Sequence, residues 1–279
     1  MPCLARSLPL ALASSLLLAS LAGCGSSSSP ATADASSGDG AADAPAFPRA
    51  DAVTGDGDLA AISFSPGSPV LGRGYTQWTE AYWQWLLQIP KATSPLFGGD
   101  CAQGQSGPMW FLVPGQSIKA GVRACTIPAS AAILVPLAAF LCFPCPEDDT
   151  SCAIPTAETD LRKCVRDYFA GIDTMQLVVD GKRVGNGGSD FILYRAQSSL
   201  FSWKAPAARA EQAIACTGPV PKNACSVPEG DRQGVSDGYW VILQPLSPGQ
   251  HTLYWSSSLL PASDPPVKAS VAWDLTITP

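Results

Sequence analysis

Histidine is almost missing from this chain: His251 is the only one among 279 residues. A lone imidazole excludes metal sites that need several histidines and leaves a single base for any serine nucleophile. Charge is scarce as well, at 14% Asp, Glu, Lys and Arg, with 17 basic residues against 23 acidic ones. Six of the acids and two of the bases precede Leu59, so the remainder holds 17 acids and 15 bases and is nearly neutral. That balance offers no positive field for nucleic acid, which is not expected as a partner. The apolar run from Leu8 to Leu21 falls short of the about 20 residues that a spanning helix needs.

What is present begins with an export signal. Arg6 and the amino terminus supply positive charge, the run to Leu21 is apolar and small, and Leu21-Ala22-Gly23 leads into Cys24. This pattern reads as a signal peptide over residues 1–23 rather than as a span. Leu-Ala-Gly-Cys resembles the lipobox of bacterial lipoproteins; the other reading is an ordinary signal followed by a chance cysteine. The resemblance implies that the Cys24 thiol receives diacylglycerol and that its amine becomes an acylated N-terminus. Several acyl chains anchor durably where a single chain binds only marginally. Gly25, not Asp, follows Cys24, which by analogy with enterobacterial sorting points to the outer membrane. The expected location is therefore the cell envelope, with the membrane as partner through acyl chains on Cys24.

Residues 24–58 read as a lipidated, disordered tether. Gly25 to Asp58 is Ser, Ala, Gly, Pro and Asp with one aromatic, Phe47, too little apolar surface to fold. A chain of this length spans on average ~30 Å. Residues 59–279 show no second linker and no repeat, and are expected to form one domain.

Cys3 falls in the signal and Cys24 under lipid, leaving eight cysteines. An even number in an exported domain points to disulfides, although eight can pair in many ways. Proximity favours Cys101–Cys125 across an apolar strand and Cys216–Cys225 around a Pro- and Gly-containing loop. Within a Cys-rich insert near 142–164 it favours Cys142–Cys164 and Cys145–Cys152. Cys142-Phe143-Pro144-Cys145 admits a redox dithiol and the insert admits zinc, but neither a helix N-terminus nor a βαβ unit accompanies the pair.

The hydrophobic pattern predicts a helix over Thr76 to Ile89, capped by Thr76 and ended by Pro90. Tyr75, Trp78, Tyr82, Trp85 and Ile89 form its aromatic face. A second helix is expected from about Ala157 to Ala170, with Thr156 as cap and Leu161, Cys164, Val165 and Tyr168 on one side. Strands are expected at Met109–Val113, Gly121–Ile127, Ala131–Leu141, Met175–Val179, Lys182–Val184, Asp190–Tyr194, Leu200–Trp203, Gly238–Leu243, His251–Trp255 and Ser270–Thr278. Asp180-Gly181 is the turn of a hairpin, and Val271, Trp273, Leu275 and Ile277 alternate with polar residues. Many short strands with Pro and Gly turns predict a mainly β fold. A β-sandwich or jelly roll with one or two packed helices, held by disulfides, fits best.

No complete catalytic set is evident. Gly104-Gln105-Ser106-Gly107-Pro108 resembles the nucleophile segment of trypsin-like proteases, but His251 lies downstream of the serine rather than upstream. Ser106, Asp190 or Asp237, and His251 have the order of an α/β-hydrolase without its Gly-x-Ser-x-Gly elbow. Glu147, Asp148 and Asp149 lack EF-hand spacing. No metal and no cofactor is expected. Glu80 and Asp237, both among aromatics, are the carboxylates a glycoside hydrolase would require about 5–9 Å apart. Exposed Trp and Tyr bind sugars and protein partners well. Of the eight tryptophans, Trp83 lies off the aromatic face and is the candidate for an exposed ligand contact, beside Glu80 and Asp237.

Three segments together resemble a family of uncharacterised exported bacterial proteins. They are Tyr75-Thr76-Gln77-Trp78 through Ile89-Pro90, Cys101 with Gly104-Gln105, Gly107-Pro108 and Trp110-Phe111-Leu112, and Ser236-Asp237-Gly238-Tyr239-Trp240 followed by Pro245-Leu246, Pro248-Gly249 and His251-Thr252. The resemblance carries no activity and no catalytic residues. The expectation from the residues is an envelope lipoprotein whose domain binds a glycan or an envelope protein without catalysis. A carboxylate-dependent glycoside hydrolase and a structural envelope protein are the alternatives.

Overall fold

The structure, a computed structural model, describes residues 53–114, 122–144, 157–168, 172–207, 229–259 and 267–279, all within one compact unit, Pro45–Pro279. The signal peptide, Cys24 and the tether up to residue 52 lie outside the described residues, as do Thr156 and the pairs Cys145–Cys152 and Cys216–Cys225. The strands, numbered in chain order, form two sheets. The larger runs β1 (Gly55–Asp56), β6 (Lys182–Asn186), β5 (Ile172–Val179), β9 (Gly249–Leu259), β10 (Val267–Thr278), β3 (Val122–Pro128). The smaller runs β2 (Met109–Phe111), β4 (Ala132–Cys142), β8 (Gly230–Leu243), β7 (Phe201–Ala205). One continuous cluster of buried side chains runs through both. The fold is thus the expected mainly β sandwich with packed helices and disulfides.

Strand β10 shows why the larger sheet forms. Val271, Trp273, Leu275 and Ile277 are buried while Ala272, Asp274 and Thr276 are partly exposed. The period of two puts one face in the core and the other toward water. β10 lies antiparallel to β9 and parallel to β3, where Leu275 sits beside Cys125 and Ile277 beside Ile127. At the β5–β6 hairpin, Asp180 and Gly181 take φ of 49° and 73°, the left-handed pair that a two-residue turn between twisted strands requires.

The helices are α1 (Leu59–Ile62), α2 (Tyr75–Gln88), α3 (Glu158–Tyr168) and α4 (Gly188–Phe191). α2 begins one residue earlier than the sequence suggests. Gly74 is its N-cap, and the Gln77 side chain accepts the Gly74 N–H at 3.0 Å in place of a Thr76 cap. Its C-cap is Ile89, directly before Pro90. Both faces of β8 are covered from Gly234 to Leu243. Toward α2, Tyr82 meets Trp240 edge-on at 5.1 Å and Trp83 meets Ser236. On the opposite face, Cys142, registered across from Val235, is bonded to Cys164 of α3.

Two disulfides stand as expected, Cys101–Cys125 and Cys142–Cys164, closing sequence separations of 24 and 22 residues. Pro136 sits within β4 where the register shifts between Pro136 and Ala138. Among the described residues, β4 has no ladder partner on that side beyond the three-residue β2, so the missing N–H is tolerated.

One expected strand is corrected. Asp190–Tyr194 is not extended: α4 ends at Phe191 and a 3-10 turn follows over Ile192–Tyr194. Phe191 and Tyr194 are buried three residues apart, while Ile192 and Leu193 between them are 65% and 76% exposed. A spacing of three is helical, and the unbroken apolar run concealed it.

Candidate functional site

Asp237 is held on the α3 side of β8, opposite to Ser236, because successive strand side chains alternate. Its carboxylate is 2% exposed. Arg195 donates to it twice, from Nε at 3.1 Å and from Nη2 at 2.9 Å. Gln197 donates at 3.2 Å and the Gly238 N–H at 2.8 Å. The Asp237 bond, helped by its charge and by Tyr239 and opposed by burial, raises the Arg195 pKa above its ordinary value. The network continues outward, with Arg162 on α3 donating to Gln197, to the Ser198 carbonyl and to Glu158. Every lone pair of Asp237 that faces protein is engaged, so the group serves as a structural anchor for the segment before β7.

Glu80 does not join it. Its Oε1 accepts the Ser199 N–H at 2.9 Å from the α2 side of the sheet, the face that carries Ser236. By strand alternation the two carboxylates lie toward opposite faces of β8, and each is taken up by an internal bond to the 197–199 segment.

The expected exposure of Trp83 is overturned. Its ring is 2% exposed, Nε1 donates to Ser236 Oγ at 2.6 Å, and Tyr82 meets it edge-on at 5.3 Å. Trp78, Tyr82 and Trp85 do turn toward Phe111 as the helical phase indicates. β7 covers the adjacent side of the same helix, where Gln84 donates to the Ser202 carbonyl. α2 is buried on two sides, and the side that the periodicity leaves free is closed by the second one.

Ser106 is exposed and plays no part with His251. The segment around it is a structural turn. The Gln105 side chain accepts the Phe111 N–H at 3.1 Å and donates to the Phe111 and Cys101 carbonyls at 2.8 and 3.0 Å, pinning the edge strand β2.

His251 instead meets Asp180 and Ser247. Nδ1 lies 2.8 Å from Asp180 Oδ2, and Nε2 lies 2.9 Å from the Ser247 carbonyl and 3.5 Å from Ser247 Oγ. Serine, histidine and aspartate thus stand in sequence, but the ring faces acceptors at both nitrogens. Only the imidazolium can donate to both. Burial lowers its pKa, yet the Asp180 bond, the Ser247 carbonyl and the Asp180 charge outweigh it and the net shift is upward. A protonated Nε2 directed at a carbonyl has no lone pair for a serine proton, so the trio is a clasp and not a nucleophile–base pair.

Among the described residues, α2 and α3 pack on the smaller sheet, and the larger sheet keeps partly exposed side chains on its other face. β9 turns Leu253 and Trp255 inward and Thr252, Tyr254 and Ser256 outward. Tyr254 is registered between Val178 on β5 and Ala272 on β10. Around it come Gln176 beside Ser256, and Asp274 beside Thr252. Gln250 and Thr276 bond to each other one row further on. Among the described residues no side chain or backbone group bonds the Tyr254 hydroxyl. The Tyr254 ring is half-buried, with amide, hydroxyl and carboxylate groups around it and the 5% exposed Val178 beside it. Strand alternation alone could have singled out Tyr254, yet the count of tryptophans drew attention to α2.

Among the described residues no three His, Cys, Asp or Glu come together to hold a metal ion, and no helix is long and apolar enough to cross a membrane. No family model, no curated protein and no solved structure matches the chain.

Proposed function

We propose that this chain is a non-catalytic, glycan-binding lipoprotein of the cell envelope, anchored through Cys24 and engaging sugar on the outer face of the β5–β9–β10 sheet. The observation that carries the reading is Tyr254: a half-buried ring on the side of β9 away from Leu253 and Trp255, with a hydroxyl that no described group bonds. A sugar ring lays its apolar face on such an aromatic, and its hydroxyls find partners in Gln176, Thr252, Ser256 and Asp274. The carboxylates that hydrolysis would need are spent on internal bonds, Asp237 with Arg195 and Glu80 with Ser199, which supports binding over cleavage.

The signal at residues 1–23 and the lipobox before Cys24 support export and the lipid anchor, and Gly25 supports the outer membrane. The test is retention of the mature chain, with Cys24→Ser for solubility, on cell-wall and glycan resins. Tyr254→Ala is expected to lower retention at least ~10-fold while the unfolding midpoint holds, because the ring lies outside the core. Equal retention of the two chains removes the face from consideration, and mass spectrometry of Cys24 from the native host tests the anchor independently.

A further inference from the structure

Among the described residues, the most exposed large apolar side chains are Ile192 and Leu193, adjacent on one 3-10 turn and 65% and 76% exposed. The turn is not loose. Phe191 before it is fully buried and Tyr194 after it is 8% exposed. Tyr194 bonds Ser63 Oγ at 2.8 Å and meets the Tyr75 ring edge-on at 6.4 Å. Two buried aromatics thus hold two aliphatic side chains out into water, which costs hydration free energy and brings the isolated domain no packing.

A second aliphatic tip lies on the loop that leads into Tyr75. Leu71 is 49% exposed and adopts φ of 50°, a left-handed conformation that strains any residue with a Cβ. The Tyr75–Tyr194 contact joins the two loops.

We infer that Ile192 and Leu193, with Leu71, form a docking tip that enters the headgroup region of the phospholipid membrane to which the chain is anchored. The inference rests on the lipoprotein reading for its occupant. The chain reaches the domain at Thr54, which bonds the Gly181 carbonyl, and runs parallel to β6 through Gly55 and Asp56. β6 leads directly into α4 and the exposed turn, and within nine residues the incoming chain reaches Ser63 against Tyr194. The anchor junction therefore lies at the start of β6 and the aliphatic tip follows its far end, where the incoming chain arrives through Ser63. From Cys24 to Val53 is 29 positions, a contour of at most about 100 Å, so the bilayer is the apolar phase always within reach. Asp190 and Arg195 flank the turn and limit entry to the interfacial depth of roughly 5–10 Å.

The test places a dansyl-bearing amino acid at position 193 and, separately, at the exposed Lys204 of β7. Full mature chain is reconstituted in vesicles of phosphatidylethanolamine and phosphatidylglycerol. Emission from position 193 is expected to shift to the blue and to lose at least about half its quenching by aqueous iodide, while position 204 stays as in water. Unchanged emission at 193 on vesicles overturns the inference. In a second arm the unanchored Cys24→Ser chain is sedimented with the same vesicles, and Ile192→Ser with Leu193→Ser is expected to reduce its bound fraction ~10-fold or more. Equal sedimentation of wild-type and substituted chains also overturns it. The second arm does not depend on acylation of Cys24, so a chain that docks there but is not acylated in its host refutes the anchor alone.

Discussion

The guanidinium of Arg195 and the carboxylate of Asp237 meet through two parallel hydrogen bonds, 3.1 and 2.9 Å long, across the end of the smaller sheet. The carboxylate is enclosed and the guanidinium is a third exposed. The pair fixes the chain between the 3-10 turn at Ile192 and β7, where Ala196 and Ser198 donate backbone bonds to Gly238 and Ser236.

Removing that carboxylate leaves Gln197 and the Gly238 N–H without their acceptor, whereas Arg195 can turn to water. Asp237→Ala is expected to cost ~2–3 kcal/mol, below the usual loss for a fully buried pair because one partner is partly solvated. Urea denaturation of the two chains measures it. A loss under about 0.5 kcal/mol would show that the network carries no stability.

Trp83→Ala is expected to damage the fold and not a surface. The ring is 2% exposed and its N–H is satisfied by Ser236, so truncation should cost ~3–5 kcal/mol. Trp83→Phe keeps most of the volume, and thermal melting should place it between the other two. A Trp83→Ala chain as stable as wild type would mean that the ring lies in water after all.

Gly185 gives room to Phe191. A Cβ at position 185 would lie 2.3 Å from Cζ of that ring, and Phe191 is fully buried. Gly185→Ala is therefore expected to destabilise by ~1–3 kcal/mol and to displace the turn that carries Ile192 and Leu193. Amide hydrogen exchange at 192–195 should rise in the variant, and unchanged protection there would contradict the packing.

The His251 clasp makes stability depend on pH. The folded chain holds the ring's proton more tightly than the unfolded one, whose value is about 6.5. Its contribution is therefore complete below about pH 6.5 and is lost as pH rises through the higher folded value. Asp180 is nearly half exposed, so the change should stay below about 1 kcal/mol. His251→Asn should flatten this part of the profile when urea midpoints are compared at about pH 5.5 and about pH 8.5. The two chains keeping parallel profiles would argue against the charged clasp.

Much of the architecture was readable because it depends on local periodicity. The alternation in Ser270–Thr278 identified β10 and its buried face, and Asp180-Gly181 identified the hairpin. The phase of Trp78, Tyr82 and Trp85 identified the inner side of α2. Cys101–Cys125 and Cys142–Cys164 followed from nearness along the chain. The site residues were less legible. Glu80, Trp83 and Asp237 share an aromatic-rich context in sequence, but the strand pleat sends Asp237 to the α3 face while Glu80 and Trp83 sit with α2. Tyr254 was within reach of the same alternation and lacked only a reason to be preferred over the tryptophans.

By itself the amino-acid order settled most of the elements and the inner sides of β10 and of α2 toward Phe111, since these follow from side-chain spacing within a few residues; Asp190–Tyr194 and Trp83 escaped it. Tertiary structure decided which dry sides meet: that Ser236 of β8 takes the Trp83 N–H, that Arg195 turns Asp237 into an internal anchor, and that Phe191 and Tyr194 push Ile192 and Leu193 into solvent. Those outcomes depend on partners as far as 42 and 153 positions away along the chain, and no local pattern encodes a contact between strands whose neighbours are chosen only when the sheets stack.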